Sequence, residues 1–150
     1  MTLEQPAQKI REALQLAGIR DEAIFLADEF YSLPTRGDVQ NKLAREFASI
    51  LRQTNFVWET DRRDCDDFAR WAAGWAGLFH AERGIASGLA FGEVWCSQLQ
   101  HAFNVAVHLT PDASPLAVKF YEPQIRDGGF SMSEMLLTRE QVNSIYLAKA

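Results

Sequence analysis

Apolar residues recur at three- and four-residue steps in three segments of the chain, and this spacing predicts three amphipathic helices. They cover residues 2–17, 36–53 and 65–83. Thr35 and Asp38 predict an N-cap and an acidic first turn for the second helix. The third helix carries the widest apolar stripe, formed by Phe68, Trp71, Ala72, Trp75, Leu78 and Phe79. We therefore expect the third helix to lie at the centre of the fold.

After residue 84 the hydrophobic period changes to two, which predicts β-strands at residues 92–98, 101–109 and 117–122. The gap between the last two contains the turn-prone segment 111–115. Because the strands follow one another so closely, we expect them to be antiparallel neighbours.

Three other segments have less regular patterns. Residues 21–33 fit either a short strand pair or a helix, and we favour strands. Residues 131–137 predict a short helix, and residues 142–147 predict a last strand. These elements together predict a single α+β domain over residues 1–150, with residues 1–20 as an N-terminal helical extension.

The composition is that of an ordinary globular domain, because 47% of the 150 residues are hydrophobic and 23% are charged. The net charge of −5 argues against a nucleic-acid partner, which basic residues would have to hold. No apolar stretch reaches the roughly 20 residues that span a bilayer, and no signal segment is visible. We expect no membrane association and a cytoplasmic location, with export by a non-classical route left open.

A cysteine stands where irregular chain enters the third helix, within the sequence Asp64-Cys65-Asp66-Asp67. The exposed amides and the dipole at a helix N-terminus lower the pKa of a thiol, and a neighbouring imidazolium lowers it further. Cys65 is therefore a candidate nucleophile. Cys96, within a predicted strand, is expected to be buried and inert.

A base for this thiol comes from the predicted sheet. His101 opens one strand and Glu122 ends the next, and adjacent strands lie about 5 Å apart. Glu122 can therefore orient the ring of His101, which is the candidate base for Cys65. His80 and His108 are expected to serve in packing or to lie at the surface.

Three short motifs together carry a family resemblance. They are Cys65-Asp66-Asp67-Phe68-Ala69 at a helix start, Gln100-His101 followed by Asn104 on a strand, and Tyr121-Glu122-Pro123-Gln124. The pattern resembles the papain-like cysteine protease domain at the C-terminus of the Marasmius-type mushroom agglutinins. It is similar, more distantly, to the transglutaminase-like cysteine proteinases. The match runs in order from about residue 24 to the last strand.

The resemblance implies a papain-like core, in which a central helix packs on an antiparallel sheet. It also implies a catalytic triad, with Cys65 as the nucleophile, His101 as the general base and Glu122 as the residue that orients His101. Trp58 matches the tryptophan that contributes to the oxyanion site in that family.

Calcium is the cofactor that the resemblance implies, with Asp66, Asp67 and Gln124 as ligands. The charges give a separate reason to expect a metal. The carboxylates of Asp64, Asp66 and Asp67 disfavour a thiolate on Cys65, because like charges repel. A bound divalent cation would reverse that effect.

The sequence thus predicts a calcium-dependent cysteine peptidase, a thiol amide hydrolase acting on a protein or peptide substrate. One alternative is an acyl transferase of the transglutaminase type, which would use the same triad. Another is a non-catalytic calcium-binding or interaction module on the same fold. A second copy of the chain, forming a homodimer, is a further candidate partner.

Overall fold

The structure is a computed structural model that describes residues 4–54, 64–81, 87–109, 116–124 and 132–150. In chain order its strands are β1 Glu4–Pro6, β2 Ile24–Phe25, β3 Phe30–Ser32, β4 Gly88–Leu89, β5 Phe91–Cys96, β6 His101–His108, β7 Ala117–Glu122, β8 Ser133–Met135 and β9 Ile145–Lys149. Its helices are α1 Ala7–Leu16, α2 Ala44–Gln53, α3 Cys65–Ala81 and α4 Arg139–Asn143. Shorter helical segments cover Asp21–Ala23, which is a 3₁₀ turn, and Asp38–Leu43, which is π-helical.

A large sheet organises the described residues, with its strands in the order β2-β9-β5-β6-β7-β8. Neighbouring strands are antiparallel except β2 and β9, which are parallel. A smaller sheet has the order β1-β3-β4, and its β3–β4 pair is also parallel. The α+β class is confirmed, and so is the antiparallel arrangement of β5, β6 and β7. The sheets as a whole are mixed, which differs from the purely antiparallel prediction.

Helices cover both faces of the large sheet. On one face α1 and α4 contribute Leu14 and Val142 to a core that includes Phe103 of β6. On the other face α2 and α3 pack against Tyr121 of β7 and Ala106 of β6. Successive side chains of a strand point to opposite faces, so β6 contributes to both cores. The prediction that the third helix is central agrees with its packing on β5 and β6.

One buried amide fixes α3 to the sheet. Asn104 is fully buried, and its Nδ2 donates to the carbonyl of Ala69 in α3 at 2.9 Å and to the carbonyl of Gly92 in β5 at 3.0 Å. Ala69 lies about one helical turn after Cys65. These two hydrogen bonds therefore set the position of the start of α3 relative to β5 and β6.

The predicted start of the second helix is confirmed. The amide of Asp38 donates to Thr35 Oγ1 at 3.0 Å, and the amide of Thr35 donates to Asp38 Oδ2 at 3.1 Å. This reciprocal pair satisfies two amides that a helix start leaves without partners. The helical segment begins at residue 36 and ends at Gln53, as predicted, but its Asp38–Leu43 portion is π-helical.

The first helix begins later than predicted. Pro6 disfavours a helical conformation at the residue before it, and Glu4–Pro6 instead forms β1, with Gln5 paired to Tyr31. The helix then runs over Ala7–Leu16, and Gly18 follows with φ of 107°. Glycine adopts this left-handed conformation without strain, so Gly18 can end the helix.

Near the end of the chain one predicted element is wrong, and the predicted last strand is present but begins later. In place of a helix over residues 131–137, Ser133–Met135 forms β8 and pairs with β7, where Met135 lies opposite Phe120. In place of a strand over residues 142–147, Val142 lies in α4 and the strand is Ile145–Lys149. Pairing with β5 and β2 sets the bounds of this strand.

Candidate functional site

The candidate site lies where α3 begins beside the start of β6. The pairing of β6 with β7 begins at Asn104, which lies opposite Tyr121. Ala102 comes two residues earlier in β6 and is not part of this pairing. The amide of Ala102 donates to Cys65 Sγ at 3.4 Å. Such a hydrogen bond stabilises negative charge on the sulfur. The partly exposed thiol thus sits between the N-terminus of α3 and the start of β6.

His101 and Glu122 are in direct contact, as the strand pattern predicts. His101 Nε2 lies 2.6 Å from Glu122 Oε2, and each side chain is about one-quarter exposed. The other carboxylate oxygen, Oε1, accepts a hydrogen bond from the amide of Gln124 at 3.1 Å. The ring of His101 also packs against Phe103. Glu122 is therefore held at one end by the backbone and at the other end fixes the imidazole.

A tight turn delivers His101 to this position. The amide of Gln100 donates to the carbonyl of Ser97 at 3.1 Å, which closes the turn between β5 and β6. Gln100 has φ of 48°, in the left-handed region that residues other than glycine seldom occupy. The turn leads directly into the first residue of β6.

Three carboxylates gather at the N-terminus of α3. One oxygen from each of Asp64, Asp66 and Asp67 lies within 4.8 Å of the others. A hydrogen bond with Asp66 raises the pKa of Asp64 to about 6, and desolvation and repulsion from Asp66 and Asp67 add to the effect. Arg70 compensates only weakly, at 3.6 Å from Asp66 and 4.0 Å from Asp67. The cluster carries excess negative charge in a small volume.

The structure therefore places some of the predicted metal ligands together. Asp66 and Asp67 share the cluster with Asp64, which was absent from the ligand set that the resemblance implied. The four-residue run of three acids around Cys65 is the sequence signal that could have included Asp64.

The other predicted ligand, Gln124, contacts Glu122 through its backbone amide. Trp58, the candidate for the oxyanion site, lies outside the described residues.

The other two histidines and the second cysteine are all buried. His108 is buried between the carbonyl of Pro34 at 2.7 Å and the hydroxyl of Tyr121 at 2.8 Å, and burial lowers its pKa. His80 is buried as well. Cys96 is 2% exposed, with Sγ 3.1 Å from Ser144 Oγ, and is not bonded to Cys65.

Chemically, the site combines three capabilities. The imidazole of His101, held by Glu122, can accept or release a proton. The thiol of Cys65 has an amide donor. The acidic cluster offers hard oxygen ligands for a cation.

Among known proteins, solved structures share the fold of this chain. No protein-family model matches the chain, and no curated protein matches it. Among solved structures it is similar to a Polyporus squamosus lectin bound to the epitope Neu5Aca2-6Galb1-4GlcNAc, with a TM-score of 0.70 at 20% identity. It is also similar to a PSL1a-E64 complex, with a TM-score of 0.67 at 20% identity. Each match covers 99% of this chain and 50% of the other. The chain thus spans about half the length of these proteins, and at this identity the likeness shows the fold alone.

These matches correct the family and the function predicted from sequence. The solved structures that share the fold are of a lectin, and neither description names a papain-like protease. The prediction of a calcium-dependent cysteine peptidase is therefore wrong, and with it the assignment as a hydrolase. The roles of the site residues and the calcium requirement stay predictions. Among the described helices, none is long and apolar enough to cross a bilayer.

Proposed function

We propose that this chain is a non-catalytic interaction module that binds calcium at the cluster of Asp64, Asp66 and Asp67. The observation that carries the proposal is the convergence of three carboxylate oxygens within 4.8 Å at the start of α3. Calcium takes six to eight oxygen ligands in flexible geometry, so these carboxylates, backbone carbonyls and water suit it.

Electrostatics support the cation. Three carboxylates this close repel one another. A hydrogen bond with Asp66, desolvation and this repulsion together raise the pKa of Asp64 to about 6. The positive end of the α3 dipole offsets only part of the charge, equivalent to about half an elementary charge. A divalent cation would supply the missing positive charge.

The fold supports a binding role. The solved structures that share it are of a lectin, and one is described with a bound glycan epitope. A module of this kind would recognise a glycan or a protein partner rather than turn over a substrate. The pair of His101 and Glu122 would then be part of the binding surface beside the calcium site.

Calorimetric titration of the full chain with calcium chloride tests the proposal. We expect one calcium per chain in the wild type and at least about tenfold weaker binding in Asp67→Asn, since a charged ligand is lost. Glu140→Gln is the matched control, because Glu140 is an exposed acid in the first turn of α4. Its affinity should equal that of the wild type.

Two results would contradict the calcium site. One is the absence of binding to the wild type at millimolar calcium. The other is equal affinity in Asp67→Asn and Glu140→Gln, because calcium would then bind elsewhere or without specificity.

A further inference from the structure

A cleft lies between α3, β4, the start of β5 and the end of β9. Its volume is about 480 Å³, and small-molecule sites typically enclose about 300–1,000 Å³. The charged residues that line it are Asp28, Arg70, Glu93 and Lys149. Arg70 stands between the cleft and the acidic cluster, and the other three residues play no part in the proposed calcium site.

Two glycines of α3 keep this cleft open. A Cβ atom built on Gly74 or Gly77 would meet no atom within 4 Å, so packing does not require glycine at either position. Glycine is also unfavourable in the interior of a helix. Both residues line the cleft, where they leave the helix backbone uncovered. The space they preserve therefore needs a reason other than folding.

A buried carboxylate in the cleft has spare hydrogen-bonding capacity. Glu93 is only 9% exposed. Its Oε2 accepts a hydrogen bond from Trp95 Nε1 at 3.3 Å and lies 4.0 Å from Arg70 Nε. Within the described part of the chain Oε1 has no hydrogen-bond donor. Glu93 lines the cleft and its Oε1 is not enclosed, so the hydroxyl of a ligand in the cleft could donate a hydrogen bond to it.

The charges of the cleft balance. Asp28 and Glu93 are acceptors, whereas Arg70 and Lys149 are donors. The two carboxylates would repel an anionic ligand, and the two basic groups would repel a cationic one. A hydroxyl group suits both kinds of residue, since it donates to a carboxylate and accepts from a guanidinium or ammonium group.

The geometry points to a site for a short neutral saccharide in this cleft. The inference rests on the proposed interaction role and names a ligand class and its site. Sugar hydroxyls would donate to Glu93 and Asp28 and accept from Arg70 and Lys149. The bare backbone at Gly74 and Gly77 would allow a sugar ring to approach α3 closely.

The test uses the fluorescently labelled full chain on an array of immobilised neutral and anionic oligosaccharides, followed by calorimetry with the strongest neutral ligand. We expect neutral oligosaccharides to bind. Gly77→Leu fills the cleft and should abolish binding without lowering Tm. Glu93→Gln should weaken binding about tenfold or more, because a charge-assisted hydrogen bond is lost.

Gly37→Ala is the matched control. Gly37 is also helical, and a Cβ atom there would make only an ordinary contact, 3.8 Å from Thr35 Oγ1. This change should raise Tm, because alanine favours a helix more than glycine does, and saccharide binding should stay at the wild-type level.

Three results would overturn the inference. They are no binding to any neutral oligosaccharide, binding to anionic ones only, and full retention of binding in Gly77→Leu. Calcium titration of the same proteins separates this failure from that of the proposed function. Calcium binding without saccharide binding would overturn only the proposed saccharide site. Saccharide binding that is lost in Gly77→Leu would support that site even if the chain bound no calcium.

Discussion

Removing the amide of Asn104 should loosen the start of α3 from the sheet. The side chain is fully buried and makes two hydrogen bonds, to Ala69 at 2.9 Å and to Gly92 at 3.0 Å. Each contributes about 1 kcal/mol net, and the space left by Asn104→Ala adds about 1 kcal/mol. The free energy of unfolding should therefore fall by about 3 kcal/mol in total. For a chain of this length that loss lowers Tm by about 6–12 °C.

Urea denaturation followed by tryptophan fluorescence and circular dichroism measures this loss. Asn104→Leu restores most of the volume but neither hydrogen bond, so it should lose only about 2 kcal/mol. Asn41→Ala is the control, because Asn41 is exposed and its change should stay within about 0.5 kcal/mol. The reasoning would be refuted if Asn104→Ala cost no more than Asn41→Ala, or if Asn104→Leu were as stable as the wild type.

Lowering the pH should weaken calcium binding, because Asp64, with a pKa of about 6, gains a proton as the pH falls through that value. Equal calorimetric affinities at pH 5.5 and 7.5 would contradict this. A non-catalytic role predicts that iodoacetamide alkylates Cys65 at rates within about twofold in the wild type and His101→Ala, since no base then activates the thiol. A tenfold slower rate in the variant, measured by mass spectrometry, would reveal an activated thiol and overturn that role. Burial lowers the pKa of His108 in the folded chain. When the pH falls below the ordinary pKa of histidine, the unfolded chain therefore binds a proton more readily than the folded chain, and the free energy of unfolding decreases. Urea denaturation at pH 7 and pH 5 should show a smaller loss in His108→Gln, and an equal loss would exclude His108 as its source.

Elements with a strong local pattern could be predicted from the sequence. The segment 65–83 has a stripe at helical spacing, and the helix begins at the predicted residue, Cys65. The alternation in β6 and β7 is equally local, and it led to the contact between His101 and Glu122. Thr35 and Asp38 marked a helix start because their hydrogen bonds join residues only three positions apart.

Elements that depend on distant partners could not be predicted in this way. The short strand β8 is stabilised by pairing with β7, and its sequence alone favoured a helix. The start of α4 was missed although its signal is local, because the apolar residues after the capping box of Thr138 and Gln141 favoured a strand.

The chemistry of the site was harder to predict than its position. Cysteine, histidine and acidic residues in short motifs recur in unrelated proteins, so a few matching positions do not establish a family or an activity. The structure places Asp64 in one cluster with Asp66 and Asp67, whereas the resemblance named only the last two of these as ligands. The cleft beside Gly74 and Gly77 has no signature along the chain, because its lining comes from four separate elements and the segment around Asp28.

The place of β9 in the sheet has a consequence for biosynthesis. Although Ile145–Lys149 is the last strand in sequence order, it lies between β2 and β5 and pairs with both. A nascent chain emerges from the ribosome N-terminus first, so β2 and β5 lack their common neighbour until these residues are made. Unpaired strand edges invite contact with other chains. The sheet can be completed only after β9 has emerged from the ribosome. Protection by chaperones therefore matters most between the synthesis of β5 and the emergence of β9.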